Sequence, residues 1–72
     1  MTPAQELREI ITRAGWSKKE AAERLSSSLV TIYRYFYQAE ADDGNVTEQA
    51  KQARTPSAGT IKLARILGAI NG

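Results

Sequence analysis

The chain has 72 residues, which suits one small domain with a thin core, because a chain this short buries only about 60% of the surface that it exposes when unfolded. It contains no Cys and no His, which excludes disulfides, thiolate or histidine catalysis, and thiolate or imidazole metal sites. Apolar residues make up 42% of the chain, yet no apolar run approaches the ~20 residues that span a membrane. Because the start also lacks the pattern of a secretory signal, we expect a cytoplasmic protein of bacterial or phage origin.

The formal net charge is only +2, but the charges are unevenly distributed. Residues 1–37 carry six basic and four acidic side chains, whereas residues 38–50 carry four acids and no base. Residues 51–72 then carry four bases and no acid. This pattern predicts one domain over residues 1–72, in which a basic body and tail flank an acidic insert at about 38–55.

The first predicted helix follows a capping box. Thr2 and Gln5 have the spacing of such a box, and an apolar stripe with helical spacing runs from Ala4 to Ala14. Gly15 is placed to end this helix in a left-handed conformation.

Two further helices are predicted on either side of a serine-rich turn. Ser17 and Glu20 form a second capping box, and the helix that they open ends at residues 26–28, because serine side chains compete for backbone hydrogen bonds. Ser28 then caps a helix over 29–37, which holds four of the five aromatic residues and is apolar almost all round. Part of this surface must contact something other than the domain's own core.

The rest of the chain is predicted to form a connector and a last helix. Residues 39–44 indicate a solvated acidic turn, and Asn45 and Glu48 have capping-box spacing. A short helix at about 46–53 is therefore favoured over a twisted hairpin. Ser57 opens an apolar helix that we expect to fray at Gly68. The predicted fold class is all-α, with four or five short helices.

Two short helices joined by a turn of three or four residues form a helix-turn-helix arrangement. In and around it stand the segments Ala14-Gly15-Trp16-Ser17, Glu20-Ala21-Ala22-Glu23-Arg24-Leu25, Pro56-Ser57 and Leu63-Ala64-Arg65-Ile66-Leu67-Gly68. In these segments and their order the chain resembles the lambda-repressor-like (Cro/cI, XRE-type) helix-turn-helix regulators, and more narrowly the small prophage regulators that accompany anti-CRISPR genes. Ser26 stands where the family has its turn glycine, so a positive φ there implies strain. Ser27 stands where the family has an apolar residue, and the connector is longer than the family's.

The resemblance implies that residues 28–37 form a recognition helix whose first turn faces base edges in the major groove. Arg34 is expected to donate hydrogen bonds from its guanidinium group to guanine O6 and N7 together. A phosphate contact or a solvated charge is an equal alternative. Leu29 and Val30 are expected to contact thymine methyl groups or to pack in the core, and Tyr35 and Phe36 are expected in the core. The predicted DNA-binding residues are Lys18, Ser28, Leu29, Val30, Thr31, Tyr33, Arg34 and Tyr37.

Together with the resemblance, these features predict a sequence-specific transcriptional repressor that binds an inverted-repeat operator as a homodimer. The family and the small size imply that it regulates its own gene. Pairing two copies on half-sites about 34 Å apart doubles the few phosphate contacts that one small domain makes. The expected dimer surface is the last helix, with Ile61, Leu63, Ile66 and Ile70, and the insert is the second choice. The basic side chains of the tail, Lys51, Arg54, Lys62 and Arg65, are expected to contact DNA or to stay solvated.

Two alternatives remain open at the level of sequence. One is an antitoxin or transposition-control DNA binder, and the other is a helical protein-interaction module that uses the Tyr33–Tyr37 surface, since binding hot spots favour Tyr and Arg. An enzyme is not expected, because the carboxylate pairs Glu20/Glu23 and Asp42/Asp43 fall at exposed helix or turn positions. No cofactor, metal or small-molecule substrate is predicted.

Overall fold

The computed structural model describes residues 1–71, and in this range the chain is helical without any strand. The all-α prediction is therefore confirmed. The α-helices are α1 (Pro3–Ala14), α2 (Lys18–Arg24), α3 (Leu29–Asp42) and α4 (Ala58–Asn71), and a 3₁₀ helix spans Glu48–Gln52. Helix α1 packs against α3 and α4, while α2 and the 3₁₀ helix both pack against α3. Helix α3 is thus the central element of the domain.

The four α-helices begin at the hydroxyl side chains that the sequence predicted. Thr2 and Gln5 form a complete capping box, in which Thr2 N donates to Gln5 Oε1 at 2.9 Å and Gln5 N donates to Thr2 Oγ1. The second box is only half formed, because Glu20 N donates to Ser17 Oγ while the Glu20 carboxylate accepts from Arg24 instead. The caps of α3 and α4 are Ser28 and Ser57.

Three helices end in the same hydrogen-bond motif around a residue in the left-handed conformation. At the end of α1, Gly15 has a φ of 74° and Trp16 N donates to Ile11 O at 3.2 Å. Ser26 plays the same part after α2, with a φ of 53°, and Gly44 after α3, with a φ of 95°. This is the Schellman arrangement, in which the amide after the left-handed residue satisfies a carbonyl of the last helical turn. The predicted role of Gly15 is confirmed.

Two predicted helix ends are wrong. Helix α3 does not stop near residue 37 but continues through the expected acidic turn to Asp42, because Ala39 is fully buried and Gly44 is the first residue placed to stop the helix. Helix α4 does not fray at Gly68 but continues to Asn71. A Cβ on Gly68 would lie 3.2 Å from Ile10 Cγ2, so this glycine permits close packing of α4 on α1.

The connector contains a short helix, as predicted, rather than a hairpin. Its 3₁₀ helix lies within the predicted range of 46–53. The capping box expected at Asn45 is not formed, since Thr47 occupies the cap position without a side-chain hydrogen bond. Asn45 N donates instead to Glu40 O at 2.9 Å and so closes the end of α3.

The core lies where the four α-helices meet. Leu7 and Ile32 are fully buried at its centre, and Tyr35 is buried with Phe36 half-buried beside it, as predicted. Ile61 was expected in the dimer surface of the last helix, but it is only 6% exposed and belongs to the core. The other core members are Ile11, Trp16, Ala21, Ala22, Leu25 and Ala64.

Candidate nucleic-acid interface

Helices α2 and α3 are joined by a turn of four residues, 25–28. Leu25 is buried and anchors the turn in the core. Ser27 N donates to Ala22 O at 2.9 Å and Ser26 N donates to Glu23 O at 3.3 Å, which closes the Schellman motif. The positive φ of Ser26 costs an L-residue roughly 1–2 kcal/mol relative to the right-handed conformation. Serine at this position therefore carries strain that glycine would not.

The first turn of α3 presents hydroxyl and apolar side chains to solvent. Ser28 Oγ accepts from Thr31 N at 3.1 Å and shares a second hydrogen bond with Thr31 Oγ1 at 2.8 Å. Leu29 is 40% exposed, Val30 57% and Tyr33 40%, whereas Thr31 is half-buried. Leu29 and Val30 are thus exposed rather than packed in the core.

Arg34 and Tyr37 continue the face of α3 that begins at Val30, because residues three, four and seven apart share one side of a helix. Tyr37 is half-buried and stacks on Tyr33, with ring centroids 6.4 Å apart. Arg34 is also half-buried, and its Nε is shielded from solvent without a hydrogen-bond partner among the described residues. The carbonyl of Arg34 accepts from Arg54 N at 3.1 Å, which holds the connector against α3.

Lys18 lies over the aromatic side chains of α3 rather than extending freely into solvent. Its Nζ is 4.7 Å from the ring centroid of Phe36 and 5.6 Å from that of Tyr33. Such cation–π contacts contribute about 0.5–1 kcal/mol at exposed sites. Lys18 therefore links the start of α2 to α3 and brings a positive charge beside the exposed ring of Tyr33.

Acidic side chains gather at the opposite end of α3. No acid occurs between Glu23 and Glu40 in the sequence, so the acids of α3 are confined to its last turn. At 1.5 Å per residue, α3 is about 21 Å long. The first turn of α3 is thus far from the carboxylates of the same helix. The positive end of the helix dipole, which lies at this turn, adds to the difference in charge between the two ends.

The carboxylates at the end of α3 fasten this helix to the start of α1. Asp43 accepts from both terminal nitrogens of Arg8, at 2.6 and 3.2 Å, and from Gln5 Nε2 at 2.7 Å. The pKa of Asp43 is lowered most by its hydrogen bonds from Arg8 and next by the one from Gln5. The hydrogen bonding between Arg8 and Asp43 also raises the pKa of Arg8. Asp42 accepts from Thr2 Oγ1 at 2.5 Å and from Gln38 Nε2.

The sequence did not predict these hydrogen bonds between the end of α3 and the start of α1, because residues 39–44 were expected to form a solvated turn. The only signal available was that Thr2, Gln5 and Arg8 recur at every third position of α1 and so line one side of its first two turns. Nothing in the sequence indicates that the end of α3 meets that side.

The other charged side chains form ion pairs or lie on the surface. Glu20 pairs with Arg24 at 2.8 Å, and Arg65 of the basic tail pairs with Glu6 of α1. Lys51, Arg54 and Lys62 are exposed. Within residues 1–71, no group of three or more acidic, His or Cys side chains is placed to hold a metal ion, and no helix has the length and apolar character to cross a membrane.

The structure thus places Val30, Tyr33, Arg34 and Tyr37 on one side of α3, with Lys18 beside Tyr33. Ser28, Leu29 and Thr31 lie at the start of this helix, where Ser28 and Thr31 bond each other. No protein-family model matches this chain, and searches of curated proteins and of solved structures find no match either.

Proposed function

We propose that this protein is a sequence-specific double-stranded DNA-binding regulator, and that it represses transcription by occupying an operator. The observation that carries the proposal is the exposed first turn of α3, which follows a four-residue turn after α2 and is far from the acidic side chains of its own helix. In a helix-turn-helix protein this turn faces base edges in the major groove. Lys18 lies beside the ring of Tyr33, and we expect the Lys18 ammonium and the Tyr33 hydroxyl to contact phosphates.

The proposed binding form is a homodimer on an inverted repeat. Leu63, Ile66 and Ile70 lie on one side of α4, at spacings of three and four residues, and are 40%, 51% and 74% exposed. Pairing this face between two copies would bury apolar surface that a single copy leaves in water. It would also double the number of phosphate contacts, which determine both the affinity and its dependence on salt.

A helical protein-interaction module is the second candidate function. It is favoured by the apolar character of the exposed patch formed by Leu29, Val30 and Tyr33, since exposed apolar clusters mark interaction sites. The two candidates differ in salt dependence, because only a DNA-binding protein releases condensed counterions from phosphates on binding.

The test is selection of bound duplexes from a random pool, followed by mobility shift of the enriched sequence at two salt concentrations and by sedimentation. We expect an enriched inverted repeat, a dimer on the DNA, and an affinity that falls steeply as the salt concentration rises. No enrichment over random DNA would refute the proposal and would leave the interaction module as the better candidate.

Arg34→Ala tests directly whether α3 contacts DNA bases, with Arg13→Ala as the matched control. Both variants lose one arginine, but Arg13 lies at the end of α1 with a 79% exposed side chain. If Arg34 contacts a base, its removal weakens binding by about 1–3 kcal/mol and relaxes specificity at one position. Arg34→Lys distinguishes the contribution of the positive charge from that of the bidentate hydrogen bonds, because lysine keeps the charge but lacks the bidentate geometry of the guanidinium group. Unchanged affinity in Arg34→Ala would mean that Arg34 has no contact with DNA.

A further inference from the structure

Within the proposed recognition helix, residues 28–37, the exposed side chains include no charged or amide group, because Arg34 is half-buried. Between residues 28 and 37 only Ser28, Leu29, Val30 and Tyr33 are exposed. The Ser28 hydroxyl is engaged with Thr31 through the two hydrogen bonds of the cap. Beyond the hydroxyls of Ser28 and the half-buried Thr31, which bond each other, the first turn of α3 presents only the hydrocarbon side chains of Leu29 and Val30.

The chemistry of these side chains limits what they can recognise. Guanine, adenine and cytosine are read in the major groove mainly through Arg, Lys, Asn, Gln, Asp or Glu, and residues 25–37 contain none of these except Arg34. Thymine is the base that presents an apolar group there, its 5-methyl, which pairs with apolar side chains. An exposed Leu-Val pair at the start of α3 matches this group and no other base substituent.

We propose that Leu29 and Val30 determine operator specificity by contacting thymine 5-methyl groups, an inference that rests on the proposed function. Val30 is the principal contact, because it is 57% exposed and its branched side chain has little rotamer freedom to lose. Burial of one methyl group corresponds to about a fourfold change in affinity. With one methyl in each half-site, a dimer gains about fifteenfold.

The test replaces thymine by deoxyuridine, which removes the methyl group and leaves the hydrogen-bonding groups of the base unchanged. Each thymine of the duplex enriched by the full chain is replaced in turn, and the affinity is measured for the original protein, for Val30→Ala and for Leu29→Ala. Val46→Ala is the matched control, since Val46 is also exposed, at 79%, but lies in the connector. Circular dichroism verifies that each variant is folded.

We expect at least one deoxyuridine position to weaken binding about fourfold per half-site, and this loss to disappear in Val30→Ala or Leu29→Ala but not in Val46→Ala. If a specific duplex is enriched but deoxyuridine binds as well as thymine everywhere, the inference is wrong while the proposed function stands. A methyl effect that persists undiminished in both α3 variants also refutes the assignment to these residues. If no duplex is enriched, the proposed function fails, and the inference fails with it.

Discussion

Exchanging the left-handed residues that end α1 and α2 tests whether the turn between α2 and α3 is strained. Both residues occupy the same position of a Schellman motif, but one is Gly15 and the other Ser26. The left-handed conformation costs serine roughly 1–2 kcal/mol, whereas glycine adopts it freely but loses about 0.5–1 kcal/mol through the entropy of the unfolded chain. Ser26→Gly should therefore raise the free energy of unfolding by about 0.5–1 kcal/mol.

The reverse exchange, Gly15→Ser, should lower the free energy of unfolding by a similar amount. No atom lies within 4 Å of a Cβ built on Gly15, so the cost comes from the backbone conformation and not from a clash. In a domain of this size, 1 kcal/mol shifts the melting temperature by about 4–8 °C, which thermal unfolding followed by circular dichroism resolves.

Ser27→Gly is the control for the effect of glycine itself. Ser26 is the only non-glycine residue with a positive φ among those described, so Ser27 gains nothing from a glycine backbone. Its replacement also removes the weak hydrogen bond from Ser27 Oγ to Leu25 O and should destabilise the protein. If Ser26→Gly lowers the melting temperature as Ser27→Gly does, the strain argument is refuted.

Two further predictions concern the ion pair at the end of α3 and the core. Arg8 lowers the pKa of Asp43 from its ordinary value of 3.8, so the stability that Asp43 contributes is present above that pH and is lost as the pH falls through the lowered value. Asp43→Asn should therefore reduce the fall in the free energy of unfolding that urea unfolding measures between about pH 5 and 2. An unchanged dependence on pH in this range would contradict the prediction. Leu7→Ala should cost about 2–5 kcal/mol because Leu7 is fully buried, whereas Leu29→Ala, 40% exposed, should cost far less, and equal losses in denaturant unfolding would contradict the packing described here.

The helix starts were predictable because they depend on local chemistry. A hydroxyl at Thr2, Ser17, Ser28 or Ser57 can satisfy a free amide three residues later whatever the rest of the chain does. The left-handed end at Gly15 is equally local, since glycine adopts this conformation at no steric cost. These signals placed the four helix starts and the turn between α2 and α3.

The helix ends that were missed depend on contacts between distant segments. Residues 39–42 form helix because Ala39 is buried in the domain and because Asp42 and Asp43 find partners at the start of α1. Gly68 looks like a helix end in sequence, but its missing side chain makes room for Ile10. Neither the acidic run nor the glycine carries information about its partner.

The burial and exposure of the α3 side chains could be predicted from the sequence only in part. The apolar spacing of α3 assigned Tyr35 to the core, and its excess of apolar residues required some of them, such as Val30, to face outward. That Lys18 lies on the rings of α3 and that Arg34 is half-buried could not be predicted, because both depend on how α2 and the connector pack.

The same helix that presents the proposed reading surface is also the centre of the fold, and its two ends are fixed by different means. At its start, the Ser28 cap and the buried Leu25 fix the turn. At its end, Asp43 binds Arg8 of α1, and in between Ile32 is fully buried. A helix held at three points loses little freedom when it binds, and this preorganisation lowers the entropic cost of recognition. A small apolar contact surface such as Val30 can therefore contribute measurable specificity, because little of its binding free energy is consumed in ordering the helix that carries it.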